Sequence, residues 1–173
     1  GTLATKMTNA AYKSFGEESE MYKSKKDYQH AAKKPVYNFR SFLSERGINT
    51  FPEQVPTLDL KLNADEIAAG KTIIDGLVSK EKNTICIFTN ATGTKCYSQE
   101  WWMEFYKELK KNFKDYNILE MLPVENISKI EFVEPSFYSK DIREMGAVLA
   151  NTSIFIGADS GIMHLAGAVH IPT

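Results

Sequence analysis

The segment IFIGADSGIMHLAGAV, residues 154–169, indicates the fold most directly. Its first part is β-branched and aromatic and stops at Gly157, whereas its second part has small apolar residues at helical spacing. The segment therefore predicts a buried strand over 153–158 that leads into a helix over 160–169. The junction carries residues that a plain connection does not need: Asp159, Ser160, Gly161 and, one helical turn later, His164.

Other parts of the chain show the same alternation of strand and helix patterns. Further strands are predicted at TICIFT (84–89), NILEML (117–122) and IEFV (130–133). Helices are predicted to begin at four capping or turn residues, namely Pro35, Asn63 (with Glu66 completing a capping box), Ser98 and Ser139. Trp101 and Trp102 are predicted to be core residues of the helix that follows Ser98.

Strands separated by helices predict an α/β fold: a Rossmann-like parallel sheet with helices on both faces. Three regions are predicted: an irregular arm over 1–34, a linker with packing helices over 35–80, and the Rossmann-like domain over 81–173. The last helix leads towards a further strand, so this domain is expected to be incomplete at its C-terminal end.

Composition narrows the functional classes. The 173 residues are 43% hydrophobic and 25% charged, with a formal net charge of −1, which does not point to nucleic acid as a partner. Cys86 and Cys96 lack the spacing of a metal site and fit a reducing compartment. The sequence shows neither a signal peptide nor an apolar run of about 18 residues, so secretion and membrane spanning are not expected.

The chemistry at the start of the last helix suits an anion. A helix N-terminus presents free backbone N–H groups and a partial positive charge. Gly161 leaves space for a phosphate, and His164 can donate to the same anion. Asp159 fits either as the helix cap or as an acceptor for ligand hydroxyl groups. A phosphate beside hydroxyl groups describes a nucleotide sugar.

Each of these residues also has an ordinary structural interpretation, and three other types of site fit the sequence less well. Ser160 and His164 are close in sequence, but the turn is one position off the G-x-S-x-G elbow of serine hydrolases. Asp159, His164 and His170 lack a recognised metal-ligand spacing. Lys95 follows Gly93, but the first glycine of a phosphate-binding P-loop is absent.

Two segments carry a resemblance to a known family. FIGADSGIMHLAGAVHIPT (155–173) has an apolar strand, then Asp-Ser-Gly, two free positions, His-Leu-Ala and a later Pro-Thr. FTNATGTKCYSQEWW (88–102) has small and hydroxyl residues followed by a lysine and a helix, and DIREMGAVLANTS (141–153) fits the helix before the first motif. In these features, over about residues 36–173, the chain resembles the ADP-heptose:lipopolysaccharide heptosyltransferases, glycosyltransferase family 9.

The resemblance implies a GT-B architecture of two facing Rossmann-like domains, of which this chain is the linker and most of the C-terminal, donor-binding half. It implies a bacterial glycosyltransferase of lipopolysaccharide biosynthesis that needs no cofactor and transfers heptose from ADP-heptose to the lipopolysaccharide core with inversion. It also implies a cytoplasmic location, with peripheral contact to the inner face of the inner membrane left open. A non-catalytic nucleotide- or sugar-binding module is the alternative function.

The resemblance also assigns residues. Asp159, Ser160, Gly161 and His164 would hold the donor's diphosphate and sugar, and Lys95 would neutralise the leaving diphosphate. The remaining predicted contacts are Asn90 and Ala91, at the phosphate, and Lys140, near the adenine. The catalytic base is expected in an N-terminal domain that this chain does not include. Ala91 and the pair Cys96-Tyr97 depart from the common family pattern, which leaves the donor's identity open.

Overall fold

The computed structural model describes residues 7–13, 33–50 and 54–173. The chain divides into two compact units, Gly1–Pro56 and Thr57–Thr173. Most of the arm predicted at 1–34 lies outside the described residues. The unit that contains the sheet begins at Thr57, whereas the sequence placed the boundary of the sheet domain after residue 80.

The described residues of the first unit include the helix α1 (Lys34–Ser44). Pro35 occupies its first turn, where the missing N–H of proline costs no hydrogen bond. The chain then turns through Gly47, whose positive φ of 79° suits a residue without a Cβ. The predicted helix after Pro35 is thus confirmed. The Arg40 side chain in α1 is buried and donates to the carbonyl of Gln54 at 2.9 Å.

The second unit alternates helices and strands, in this order: α2 (Ala64–Leu77), β1 (Thr84–Phe88), α3 (Gln99–Asn112), β2 (Asn117–Met121), β3 (Ser136–Phe137), α4 (Ile142–Leu149), β4 (Ile154–Gly157) and α5 (Gly161–Ala168). The four strands pair in parallel in the order β3-β2-β1-β4. The chain moves from β1 outward to β3 and then returns to place β4 on the other side of β1. This reversal of strand order is the position where doubly wound folds bind ligands.

The sheet is buried on both faces, which explains its near-continuous apolar strands. On one face, Cys86 and Phe88 of β1 pack with core residues of α2, α4 and α5. On the other face, Ile85 and Ile87 pack with Trp102 and further core residues of α3. The predicted Rossmann-like α/β class, with helices on both faces, is therefore confirmed.

Side-chain caps begin two of these helices as predicted. Asn63 accepts from the backbone N–H of Glu66 at 2.9 Å, and the Glu66 carboxylate accepts from the N–H of Asn63 at 2.8 Å. Ser98 accepts from the N–H of Trp101 at 3.2 Å. These hydrogen bonds satisfy backbone N–H donors that a helix N-terminus leaves free. None of the helices in the described ranges has both the length and the apolar character needed to cross a bilayer.

Three local predictions are wrong. Residues 130–133 form a turn, because Glu131 and Phe132 have positive φ values of 58° and 54°, and β3 instead lies at Ser136–Phe137. The cap of α4 is Asp141, which accepts from the N–H of Arg143 at 2.8 Å. Ser139 only accepts from the N–H of Asp141, at 3.0 Å.

The third correction concerns α3. Trp102 is 2% exposed, but Trp101 is 42% exposed and is not a core residue. Consecutive residues on a helix point about 100° apart, so one narrow apolar stripe cannot bury both indoles. Trp101 instead stacks between Tyr97 and Phe105, with ring centroids 4.4 and 5.3 Å away.

Candidate functional site

The first part of the site is the loop that leaves β1, residues 89–96, which we call the β1 loop. Thr89 is buried, and the chain then runs outward to a 3-10 turn over Gly93–Lys95. Gly93 has a positive φ of 62°, and the turn closes with a hydrogen bond from the N–H of Cys96 to the Gly93 carbonyl at 3.1 Å. The turn places Lys95 beyond the carboxyl end of the strand.

The second part is the junction between β4 and α5. Ser160 is the helix cap, because its hydroxyl accepts from the N–H of Met163 at 3.3 Å. The predicted alternative of Asp159 as the cap is therefore wrong. Gly161 is exposed, and a Cβ built there would meet no atom within 4 Å. The first turn of α5 is thus open to an approaching group.

The structure brings Lys95, Asp159 and His164 together. The Lys95 ammonium group forms an ion pair with Oδ2 of Asp159, and Nε2 of His164 lies 3.4 Å from Oδ1 of the same carboxylate. All three side chains are 54% exposed, so the cluster faces solvent. The hydrogen bond and charge of Lys95, aided by His164, hold the pKa of the Asp159 carboxyl below its usual range. The Asp159 carboxylate therefore contacts two side chains that can carry positive charge, Lys95 and His164, at the start of α5.

The other predicted contact residues have different settings. Asn90 and Ala91 are half-buried in the β1 loop, and Oδ1 of Asn90 accepts a weak contact from the Cys96 thiol at 3.5 Å. That contact ties the two ends of the loop together. Lys140 is exposed in the connection after β3, the strand at the opposite edge of the sheet from β4. The structure thus gives Lys140 no described contact with the Lys95–Asp159–His164 cluster.

A cavity of about 510 Å³ adjoins this cluster. Lys95 and Asp159 supply its polar wall, and Ile156 and Gly157 of β4 contribute to the rest. Aromatic side chains, which the sequence analysis did not assign to the site, complete the wall: Tyr97, Trp101, Trp102 and Phe105. The helical spacing could have revealed the exposed aromatic wall, because Trp101 and Trp102 are consecutive and a helix that buries Trp102 turns Trp101 away from the core.

The described residues hold no group of three histidine, cysteine or acidic side chains placed to bind a metal ion. Chemically, the site offers an ammonium group, an imidazole and free helix N–H groups on one side, and a carboxylate that can accept from hydroxyl groups. This set suits a phosphorylated, hydroxyl-bearing ligand.

Comparison with known proteins gives one family match. Residues 139–173 match the model of glycosyltransferase family 9 (heptosyltransferase). This segment contains α4, β4 and α5, and therefore the Asp159 and His164 part of the site. Comparison with curated protein sequences gave no match.

Several solved structures share the fold. The glycosyltransferase family 9 protein of Veillonella parvula DSM 2008 has a TM-score of 0.64 at 14% identity, over 86% of this chain and 43% of that one. E. coli heptosyltransferase WaaC with ADP-2-deoxy-2-fluoro heptose has a TM-score of 0.55 at 16% identity, over 83% and 44%. E. coli ADP-heptose lps heptosyltransferase II has a TM-score of 0.54 at 16% identity, over 70% and 40%.

At these identities the similarity is one of fold, and the chain spans less than half the length of each of these proteins. The chain is therefore similar to glycosyltransferase family 9, the heptosyltransferases, in sequence over residues 139–173 and in fold over the larger part of its length.

Proposed function

We propose that this chain forms the nucleotide-sugar-binding half of a glycosyltransferase that uses ADP-heptose for inverting transfer to the lipopolysaccharide core. The observation that carries the proposal is the convergence of Lys95, Asp159 and His164 at the open N-terminus of α5. The choice of donor follows the ADP-heptose named for the heptosyltransferase of similar fold.

The donor's diphosphate would lie against the first turn of α5. Free N–H groups there carry a partial positive charge, and Gly161 leaves them accessible. Lys95 and His164 approach the same point from the β1 loop and from α5 itself. The sugar hydroxyl groups would donate to Asp159, whose low pKa keeps it an acceptor at neutral pH.

In the transfer step, an acceptor hydroxyl oxygen forms a bond to the anomeric carbon while the bond from that carbon to the diphosphate oxygen breaks. Negative charge develops on the departing ADP, and the proton of the acceptor would pass to a general base, which the resemblance implies for the N-terminal half of the full-length protein. Lys95, His164 and the helix N–H groups would stabilise the charge on ADP. Preorganised donors of this kind contribute most where charge develops in the transition state.

Binding can be tested by titrating the chain with ADP, UDP and GDP in a calorimeter. ADP is expected to bind, and Lys95→Met should weaken it by about tenfold, the effect of losing one charge-assisted contact. Lys71→Met is the matched control, because Lys71 is similarly exposed and also forms an ion pair with an aspartate, Asp75 of α2. Equal loss in both variants, or no binding of ADP, would contradict the proposed site.

Catalysis requires the complete protein and a transfer assay with ADP-heptose and a lipopolysaccharide core acceptor. The same assay, run on isolated inner membranes, would show whether transfer activity is associated with them, which tests the proposed peripheral membrane location. ADP binding without transfer would instead support the alternative, a nucleotide-binding module derived from a transferase.

A further inference from the structure

Glu120 is a buried acidic residue that the proposed reaction does not use. It lies in β2, is 0% exposed, and pairs in register with Ile87 of β1. No cation of the described residues forms an ion pair with it, and burial raises the pKa of its carboxyl group. Burying a carboxylate without an ion-pair partner costs free energy, so the hydrogen bonds that stabilise Glu120 need an explanation.

Two hydroxyl groups donate to Glu120. Oγ1 of Thr89 lies 2.6 Å from Oε1, and Oγ of Ser128 lies 2.6 Å from Oε2. Thr89 is the first residue of the β1 loop, and Ser128 lies in the connection between β2 and β3. Glu120 thus joins the start of the β1 loop to a second connection at the carboxyl end of the sheet.

In the ionised form of Glu120, both hydroxyl groups are the donors. A carboxylate only accepts, so each hydroxyl commits its single proton to Glu120. The Thr89 oxygen then accepts from the N–H of Lys129 at 3.2 Å. The Ser128 oxygen accepts from the N–H groups of Ile130 and Phe132, at 3.1 and 3.0 Å, which uses both of its lone pairs.

We propose that Glu120 is a positioning residue that sets the conformation of the β1 loop for phosphate binding, through Thr89 and Ser128. The inference rests on the proposed function, because the loop it positions carries Asn90, Ala91 and Lys95. Glu120 itself touches no part of the ligand in this arrangement.

Glu120→Leu is an informative variant, because leucine is similar in size but accepts no hydrogen bond. The hydroxyl groups of Thr89 and Ser128 then lose their shared acceptor. The variant therefore keeps a side chain of similar size but releases the start of the β1 loop.

The test measures ADP affinity in the 173-residue chain by calorimetry, with unfolding by denaturant recorded for each variant. Glu120→Leu and Thr89→Val should each weaken ADP binding by about tenfold. The double variant should bind little worse than Glu120→Leu, because Thr89→Val removes a hydrogen bond that Glu120→Leu has already broken. Thr89→Ser keeps the hydroxyl and should bind ADP as the parent chain does.

Asn117→Ala is the matched control for stability. Asn117 also joins β2 to a connection, donating to the carbonyls of Ser79 and Lys82 at 2.8 and 3.2 Å, but at the start of the strand. It should lower the free energy of unfolding without changing ADP affinity. If Asn117→Ala weakens ADP binding as much as Glu120→Leu does, or if Glu120→Leu binds ADP normally, the positioning role is overturned.

A second readout separates this inference from the proposed function. The Cys96 N–H closes the turn of the β1 loop on the Gly93 carbonyl, and its hydrogen exchange should speed up in Glu120→Leu but not in Asn117→Ala, whether or not ADP is present. Faster exchange in a chain that does not bind ADP would support the positioning role while refuting the function. Unchanged exchange of the Cys96 N–H would overturn the positioning role.

Discussion

The Lys95 ammonium group is ion-paired with the Asp159 carboxylate, although the two residues stand 64 positions apart in the chain. Lys95 ends the 3-10 turn after β1, and Asp159 lies two residues after Gly157, the last residue of β4. Because β1 and β4 are parallel neighbours, their carboxyl ends lie at the same edge, at the reversal of strand order. The contact is therefore a consequence of topology.

Removing Lys95 should change the titration of Asp159. The hydrogen bond from Lys95 is the largest cause that lowers the pKa of this carboxyl. In Lys95→Met, we expect the pKa of Asp159 to rise towards its ordinary value of 3.8, as followed by carboxyl carbon NMR. Lys71→Met should leave Asp159 unchanged, and an unaltered pKa in Lys95→Met would contradict the ion pair.

His164→Ala should impair leaving-group stabilisation. In the complete enzyme, loss of one such donor should cost about 2.7–4 kcal/mol of transition-state stabilisation, measured as a fall in kcat. His170→Ala is the matched control, since His170 is similarly exposed and lies 3.6 Å from a different carboxylate, Asp59. Equal activity in the two variants would remove His164 from the proposed site.

Gly161→Ala should block the anion site without harming the fold. A Cβ at Gly161 meets no atom within 4 Å, so the free energy of unfolding should change by less than about 0.5 kcal/mol. The same methyl group would stand at the first turn of α5, and ADP affinity measured by calorimetry should fall. Gly167→Ala, equally unobstructed in the same helix, should bind ADP normally. Full ADP affinity in Gly161→Ala would contradict binding at these N–H groups.

Two glycines of α2 should respond in opposite ways to alanine. A Cβ at Gly70 would overlap the carbonyl of Ala147 and lie 2.8 Å from N of Val148, where α2 packs on α4. Gly70→Ala should lower the free energy of unfolding by about 1–3 kcal/mol. Gly76 has nothing within 4 Å, and Gly76→Ala should raise it by about 0.5–1 kcal/mol. Denaturant unfolding measures both, and the same sign in both variants would contradict this packing.

The fold should lose stability in acid partly through Glu66. The hydrogen bonds from Arg143 and then from the Asn63 N–H lower its pKa from 4.5 to about 2. A lowered folded-state pKa gives stability that is present above the ordinary value and is lost as the pH falls from about 4.5 through 2.

Glu66→Gln should therefore flatten the dependence of the free energy of unfolding on pH between these values. Asp65→Asn is the control, because it removes the neighbouring carboxylate, and none of the described hydrogen bonds of Arg143 goes to Asp65. This variant should keep the pH dependence of the free energy of unfolding. A slope unchanged by Glu66→Gln would show that the Arg143 contact does not hold in solution.

The elements with strong local signals were predictable. Apolar runs with β-branched residues marked β1, β2 and β4, because a parallel strand is buried on both faces. Asn63 and Ser98 marked helix starts, because a helix N-terminus needs acceptors for its free N–H groups. The turn at 130–133 was mistaken for a strand, since the left-handed φ values of Glu131 and Phe132 have no composition signal.

The site was predictable in its residue types but not in its geometry. The sequence by itself determined the alternation of strands and helices and the polar residues that follow two of the strands, since these depend on neighbours along the chain. Only the tertiary structure decided that Asp159 holds both Lys95 and His164, and that buried Glu120 holds Thr89 and Ser128. Such contacts depend on strand order and register, which bring distant residues within hydrogen-bond reach.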